Sequence, residues 1–259
     1  MSLSWSFRRK VLYLAAVAVI AAGMLFALYE LFFTAAPTCR DGTQNQNEAG
    51  VDCGGVCSLL CADTARAPQV LWARAFQTDT PSIGSGQAGV YTAAAYVQNQ
   101  NGAAGARSVR YSFQLFDANN SLVIERDGVV DLPPVQTIPI VEQNINVGTR
   151  SVARALFAFS EVPAWERVSA GSIPVLRMSG QNLLPDGSRL SETVSNDSQT
   201  DVTNVSIVAV LFDTHGIARA ASKSILASLP SGSAQEVVFT WPAGVPNVVR
   251  AEITTLPSF

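Results

Sequence analysis

The chain has 259 residues and a formal net charge of −3 at pH 7, and only 14% of its residues are charged. It therefore lacks the basic surface that nucleic-acid binding requires, and this class of function is excluded. The length beyond residue 65 suffices for two domains of about 95 residues each.

A long apolar segment follows directly after a basic N-terminus. The first ten residues end in Arg-Arg-Lys, residues 11–28 carry no charge, and the apolar stretch continues past one carboxylate, Glu30, to Phe33. About 20 apolar residues cross the hydrocarbon core of a bilayer, and flanking basic residues stay in the cytoplasm. The sequence predicts a cytoplasmic tail at 1–10 and a transmembrane helix at 11–33. The protein would be a single-pass protein of the cell membrane, with its bulk outside the cytoplasm.

A cleaved signal peptide is the alternative to an anchor. Its apolar region would span 7–15 residues and end at a site with small residues. The apolar run here is longer, and the nearest such site, 34–36, is followed by Pro37. We therefore favour the anchor; both interpretations place residues 34–259 outside the cytoplasm.

All the cysteines lie in one short segment, which we predict to be a disulfide-rich module at 37–63. They are Cys39, Cys53, Cys57 and Cys61. Four cysteines close together in a protein of an oxidising compartment predict two disulfides. Three ways of pairing four cysteines remain open. The spacing C-x13-C-x3-C-x3-C lacks the close pairs typical of zinc sites.

Oxygen-bearing side chains are interleaved with these cysteines. They are Asp41, Asn45, Glu48 and Asp52, in a loop that also contains glycine. Calcium binds 6–8 oxygen ligands, although the spacing here is not that of an EF-hand. The alternative is that Asx turns use these side chains to satisfy backbone amides. We predict a candidate calcium site and no other cofactor.

From residue 66 onward, short β-type runs alternate with turn residues. The candidate strands are 70–77, 89–99, 108–117, 121–130, 138–147 and 150–159, followed by 173–184, 188–197, 203–213, 216–226, 233–242 and 248–256. Strands of this length separated by turns predict β-sandwiches. We place the first sandwich at 66–168 and the second at 170–259.

The two series of strands are related in sequence. Segment 109–123 aligns with 205–219 at a constant offset, so that Leu-Phe-Asp at 115–117 matches Leu-Phe-Asp at 211–213. A fixed offset predicts a duplicated domain. In the first copy, apolar and polar residues alternate, as in a half-buried strand. The second copy is apolar on both faces, as in a more central strand.

The segment FQLFD at 113–117, followed by NNSLV, resembles the FxLYD motif, with Phe116 where that family has tyrosine. Val-Gln-Asn at 97–99 is also similar to this family. Residues 39–57 fit the pattern C-x-DG-x-QN-x-x-E-x-GVDCGG-x-C, and the whole layout resembles membrane-anchored surface proteins of candidate-phylum (Parcubacteria-like) bacteria. The resemblance implies extracytoplasmic immunoglobulin-like sandwiches in tandem and carries over no catalytic residue.

The sequence offers little for catalysis. The single histidine, His215, falls in a predicted turn, and neither a G-x-S-x-G elbow nor a phosphate-binding glycine motif is present. Trp72, Trp165 and Trp241 are expected to pack within or between the sandwiches.

Together these features predict a structural or binding protein and not an enzyme. Its tandem sandwiches would be presented to an extracytoplasmic protein partner, whose identity the sequence leaves open. The alternative is an accessory or solute-binding subunit of a membrane-associated enzyme or transport complex.

Overall fold

The computed structural model describes residues 5–33, 38–79, 89–134, 136–169 and 171–256. It divides into two compact units, residues 1–57 and 58–259, which we treat separately. The alternative cleavage site at 34–36, Pro37 at the start of the predicted module, and 257–259 lie outside the described residues.

The first unit contains one helix, α1, at Trp5–Phe33. By length and composition it is able to cross a membrane, and the mean hydropathy of its most apolar 18-residue stretch is 2.6. It begins at Trp5, earlier than the predicted residue 11, so the basic cluster is helical. Arg9 lies one turn after Trp5, with its guanidinium carbon 3.9 Å from the centre of the indole ring. A cation over an aromatic ring at this helical spacing stabilises the first turn.

The second unit is built almost entirely of antiparallel strands. They are β1 Gln69–Asp79, β2 Val90–Gln98, β3 Ala104–Phe116, β4 Leu122–Leu132, β5 Thr137–Asn146, β6 Arg154–Phe159, β7 Glu166–Arg167, β8 Leu176–Leu183, β9 Arg189–Asn196, β10 Val202–Asp213, β11 Ala218–Leu229, β12 Ala234–Thr240 and β13 Val248–Leu256. Each candidate strand from the sequence is confirmed. Only β7 was missed, because two residues are too few to show a period.

The strands form two β-sandwiches. In the first, the sheet β1-β2-β5 packs on β4-β3-β6, and β7 pairs with the start of β3. In the second, the sheet β12-β9-β8 packs on β11-β10-β13. The order of pairing is the same in both sandwiches when β1–β6 are matched with β8–β13. The mainly β fold predicted from the sequence is thus confirmed.

Each sandwich has its own apolar core. Phe113 is fully buried in the first, with its ring centre 5.8 Å from that of Tyr111 and 4.9 Å from that of Phe157. Trp165 also belongs to the first core and Trp241 to the second. The expectation that these tryptophans pack internally is confirmed.

A third apolar cluster joins the two sandwiches. It consists of Ala94, Val141, Val208, Val210, Phe212, Ala218 and Ala221, with Trp72, Phe76 and Tyr96 packed against it. It lies between the sheets β1-β2-β5 and β11-β10-β13, so four sheets are stacked in succession. Because β10 is covered on both sides, both of its faces are apolar. The prediction of a more central strand is confirmed.

Aromatic and polar contacts close one side of this interface. The ring of Tyr96 stacks on Trp72 at 4.7 Å between centres and meets the edge of Phe212 at 6.2 Å. Its hydroxyl donates a hydrogen bond of 2.8 Å to Glu252, a residue of the second sandwich. Burial and this hydrogen bond both raise the pKa of Tyr96. The hydroxyl is therefore protonated and able to donate at physiological pH.

Two buried asparagines, one in each sandwich, make equivalent hydrogen bonds. The side-chain amide nitrogen of Asn99 donates to the carbonyls of Ala104 and Pro133, and that of Asn196 donates to Thr200 and Leu229. Both asparagines are buried and fix the loop after β2 or β9. The Val-x-Asn motif therefore has a structural role in each sandwich.

The recurring aspartates close the hairpins β3–β4 and β10–β11. Asp117 accepts hydrogen bonds from the backbone of Asn119 and Ser121, each 2.9 Å long. Asp213 accepts equivalent bonds from His215 and Ile217. His215 is exposed in its turn, as predicted. The two aspartates therefore cap their turns by accepting backbone amides.

Candidate functional site

The predicted disulfides are present in the structure. Cys39 and Cys57 are bonded, with their Cα atoms 5.6 Å apart. Cys53 and Cys61 are also disulfide-bonded, and the part of the chain that the structure describes contains no free cysteine. A closed loop of this length stabilises a fold by roughly 3 kcal/mol, because it restricts the unfolded chain.

The carboxylates of the cysteine loop accept hydrogen bonds from its backbone. One oxygen of the buried Glu48 accepts N–H groups from Asn45 at 3.3 Å and from Asp52 at 3.2 Å. Asp52 in turn accepts the N–H groups of Asp41 at 2.9 Å and of Gly42 at 3.0 Å. These bonds tie the carboxylates of Glu48 and Asp52 to the backbone of the loop.

Asp41 sits at the centre of a small network. It accepts hydrogen bonds from the hydroxyl of Thr43 at 2.6 Å and from the side-chain amide of Asn45 at 2.9 Å. The hydroxyl of Thr43, followed by the amide of Asn45, lowers the pKa of Asp41 well below its usual range. The carboxylate therefore stays ionised at every physiological pH.

The structure places the four candidate calcium ligands in one loop. Among the His, Cys, Asp and Glu side chains of the described residues, one group of three has ligand atoms that all lie within 4.8 Å of one another, and it consists of Cys39, Glu48 and Cys57. Both sulfurs belong to the Cys39–Cys57 disulfide and offer no thiolate. The side-chain oxygen of Asn45 is buried without a hydrogen-bond partner. The calcium site at Asp41, Asn45, Glu48 and Asp52 stays a prediction.

Calorimetric titration of calcium into the oxidised protein tests this site directly. If the loop binds calcium, heat is released at millimolar concentrations or below, and Glu48→Gln abolishes it because a buried carboxylate ligand is lost. The control is Glu236→Gln, which changes an exposed carboxylate on β12. Absence of heat in the unaltered protein rules the site out.

A second polar feature lies where the two sandwiches meet, and we call it the junction groove. Its first half is a cavity of about 370 Å³ lined by 73–76, 153–155, Ala218 and Arg219. Three arginines lie there, one each from β1, β6 and β11. Five alanines form most of the remaining wall, which leaves the guanidinium groups room to reach a ligand.

The three guanidinium groups differ in their partners. Arg219 is paired with the buried Asp213 at 2.6 Å. Arg74 lies 5.9 Å from the ring centre of Trp72, and Arg154 lies 4.9 Å from that of Phe116. Neither has an ion pair with any carboxylate in the described parts of the chain. Arg74 and Arg154 therefore give the first half of the groove positive charge that no described carboxylate neutralises.

The second half of the groove is more apolar. This cavity of about 230 Å³ is lined by residues 76–78, 219–221 and 240–246, so Phe76 and Arg219 border both halves. Trp241 lines it, is only 7% exposed, and has an indole nitrogen without a hydrogen-bond partner. A buried donor left without an acceptor is uncommon in folded proteins.

Sequence reasoning missed the groove, although a signal for it exists. The tripeptide Ala-Arg-Ala occurs at 65–67, 73–75, 153–155 and 218–220. The last three copies come together at the groove. In the linear sequence they are short and far apart, and only the packing of the two sandwiches brings them together.

A further buried carboxylate lies in the second sandwich. Glu192 on β9 is 4% exposed, and it pairs across the strands with the core residue Val237. Burial raises the pKa of Glu192, an effect that a hydrogen bond with Gln181 partly opposes. Its ionised form is therefore less stable in the folded protein than in the unfolded chain.

Replacing Glu192 with glutamine is expected to raise the melting temperature by a few degrees at pH 7. Because the folded-state pKa is raised, the carboxyl disfavours folding above the unfolded pKa, so stability falls as the pH rises through that range. The neutral amide removes this penalty, so the gain should vanish near pH 4. Thermal melts at pH 4 and pH 7, with Glu236→Gln as the exposed control, measure it. An equal shift at both pH values would contradict the assignment.

Comparison with known proteins identifies no family. No family model matches the chain, and no curated protein matches it. Among solved structures, red sea bream transglutaminase is 11% identical, with a TM-score of 0.21. The match covers 74% of this chain and 31% of the transglutaminase chain. A second match is the N-terminal tandem CBM22-1–CBM22-2 domain of Paenibacillus barcinonensis Xyn10C, which is 10% identical with a TM-score of 0.16. This match covers 76% of this chain and 93% of the tandem domain. Scores this low carry no argument about activity.

Proposed function

We propose that this chain is a single-pass membrane protein without enzymatic activity. It presents two joined β-sandwiches outside the cytoplasm to a protein partner. The observation that carries the proposal is the apolar interface between the sandwiches, because it fixes both of them as one body with a groove at their junction. A fixed surface built from two domains suits recognition, since little conformational freedom is lost on binding.

The N-terminal helix supports the membrane part of the proposal. Its apolar side chains are exposed along its length, including Leu14 at 69% and Ile20 at 66%. Such a surface is stable only in lipid or against another apolar surface. The basic cluster at 8–10 favours a cytoplasmic N-terminus. Disulfides persist in oxidising compartments, which agrees with an extracytoplasmic remainder.

The carboxylates of Asp117 and Asp213 are engaged in hydrogen bonds and ion pairs, which supports a non-enzymatic role. Asp117 is held by turn amides and by Arg150 at 2.7 Å, and Asp213 is held by turn amides and by Arg219. The hydrogen bond from Arg150 is the largest cause of the lowered pKa of Asp117. A carboxylate held ionised in this way is poorly suited to general acid–base catalysis.

The duplication and the immunoglobulin-like class are also part of the proposal. Both are supported by the matching order of strand pairing in the two sandwiches. They are also supported by equivalent hydrogen bonds, which Asn99 makes in the first sandwich and Asn196 in the second, and which Asp117 and Asp213 accept in their turns. The resemblance to FxLYD domains and to surface proteins of candidate-phylum bacteria agrees with this architecture.

Tag accessibility in intact cells tests the anchor and its orientation. A C-terminal epitope tag should be cut by added protease, whereas an N-terminal tag should be cut only after permeabilisation. The mature protein should retain its N-terminal tag in the membrane fraction. The reverse accessibility would contradict the orientation, and loss of the N-terminal tag would show a cleaved signal peptide instead of an anchor.

A further inference from the structure

We infer that the junction groove binds an extended acidic segment of the partner protein, in which acidic side chains are followed by apolar ones. This inference rests on the proposed function and specifies the chemistry of its partner. It is carried by the charge of one half of the groove, the apolar character of the other, and the origin of the walls in both sandwiches.

The cationic half selects carboxylates. Arg74 and Arg154 contact aromatic rings and lack ion pairs with carboxylates of the described chain, so their guanidinium groups are free to form bidentate pairs with a ligand. The whole protein has a net charge of −3. Long-range attraction therefore does not favour an acidic ligand, and binding has to come from this local cluster.

The apolar half selects the neighbouring part of the ligand. Phe76, Pro242 and Pro246 line this cavity together with Trp241. Because Phe76 and Arg219 border both halves, a single continuous segment can occupy them together.

The shared interface explains why the groove has a defined shape. Ala218 and Ala221 belong to the apolar cluster between the sandwiches, and each also lines one half of the groove. The walls from β1 and β6 belong to the first sandwich, and those from β11 and 240–246 to the second. The binding surface therefore exists only while the two sandwiches stay packed together.

Fluorescence anisotropy with the purified full chain in detergent tests the inference. The probe is a fluorescein-labelled peptide with three aspartates followed by two leucines, compared with the same peptide carrying asparagines. The charged peptide should bind at least tenfold more tightly, and its affinity should fall with added salt. The double variant Arg74→Gln/Arg154→Gln should weaken binding at least tenfold.

The matched control is Arg126→Gln/Arg189→Gln, which removes the same charge from the partly exposed Arg126 and the exposed Arg189, both outside the groove. It should change the affinity less than twofold. Equal losses in both double variants, or no binding by the unaltered protein, would overturn the inference. Binding of heparin, but not of the acidic peptide, with the same dependence on Arg74 and Arg154 would also overturn it. If a crosslinked membrane partner is recovered but the peptide does not compete for it, the proposed function stands and the groove assignment fails.

Discussion

The substitution Val210→Asp is expected to separate the two β-sandwiches while leaving each of them folded. Val210 is fully buried on the face of β10 that packs against the first sandwich, so the change places a charge in the shared apolar cluster. An unpaired buried carboxylate costs several kcal/mol or is forced to take up a proton. The cores of the two sandwiches are formed by other residues and should persist.

Differential scanning calorimetry measures this separation. We expect one transition in the unaltered protein and two resolved transitions in the Val210→Asp protein, together with an increased radius of gyration in X-ray scattering. The control is Val129→Asp, at a valine that is 59% exposed on β4. If both variants keep a single transition at the same temperature, the apolar interface does not hold the sandwiches together.

The substitution Phe113→Ala is expected to destabilise the first sandwich by about 3–5 kcal/mol. Phe113 has no exposed surface and packs against the rings of Tyr111 and Phe157. Truncation removes these contacts and leaves a cavity that the paired β3 cannot close. Urea denaturation followed by tryptophan fluorescence measures the loss.

The control for this prediction is Leu156→Ala on the neighbouring strand β6, at a side chain that is 45% exposed. It should cost less than about 1 kcal/mol, as expected for a half-exposed position. A similarly small loss for Phe113→Ala would show that the first core tolerates the cavity. The FxLYD-like segment would then not be central to its packing.

Much of the fold was predictable because local signals and tertiary structure agree here. Alternation in β3 places Val109, Tyr111, Phe113 and Leu115 in one core, and the structure buries all four. The constant offset in the sequence aligned Asp117 with Asp213, and the two accept equivalent hydrogen bonds from the backbone of their turns. Such features depend on neighbours along the chain, which the sequence records directly.

The remaining features depend on contacts between distant segments. The apolar second face of β10 indicated a covered strand, but the sequence does not show that the first sandwich covers it. Arg74, Arg154 and Arg219 come from three strands in two sandwiches, so no local spacing reveals their convergence. In the cysteine loop, composition allowed both calcium ligands and Asx turns, and the sequence does not show which backbone amides Glu48 and Asp52 accept.

Site-specific photocrosslinking in the native membrane tests whether the junction groove binds a protein partner. A photoreactive amino acid is placed at Ala243, an exposed position lining the junction groove, or at Val129 on the outer sheet of the first sandwich. We expect a discrete protein adduct from position 243 that the acidic peptide suppresses, and none from position 129. Adducts of equal yield from both positions, or an adduct at 243 that the acidic peptide leaves unchanged, would contradict it.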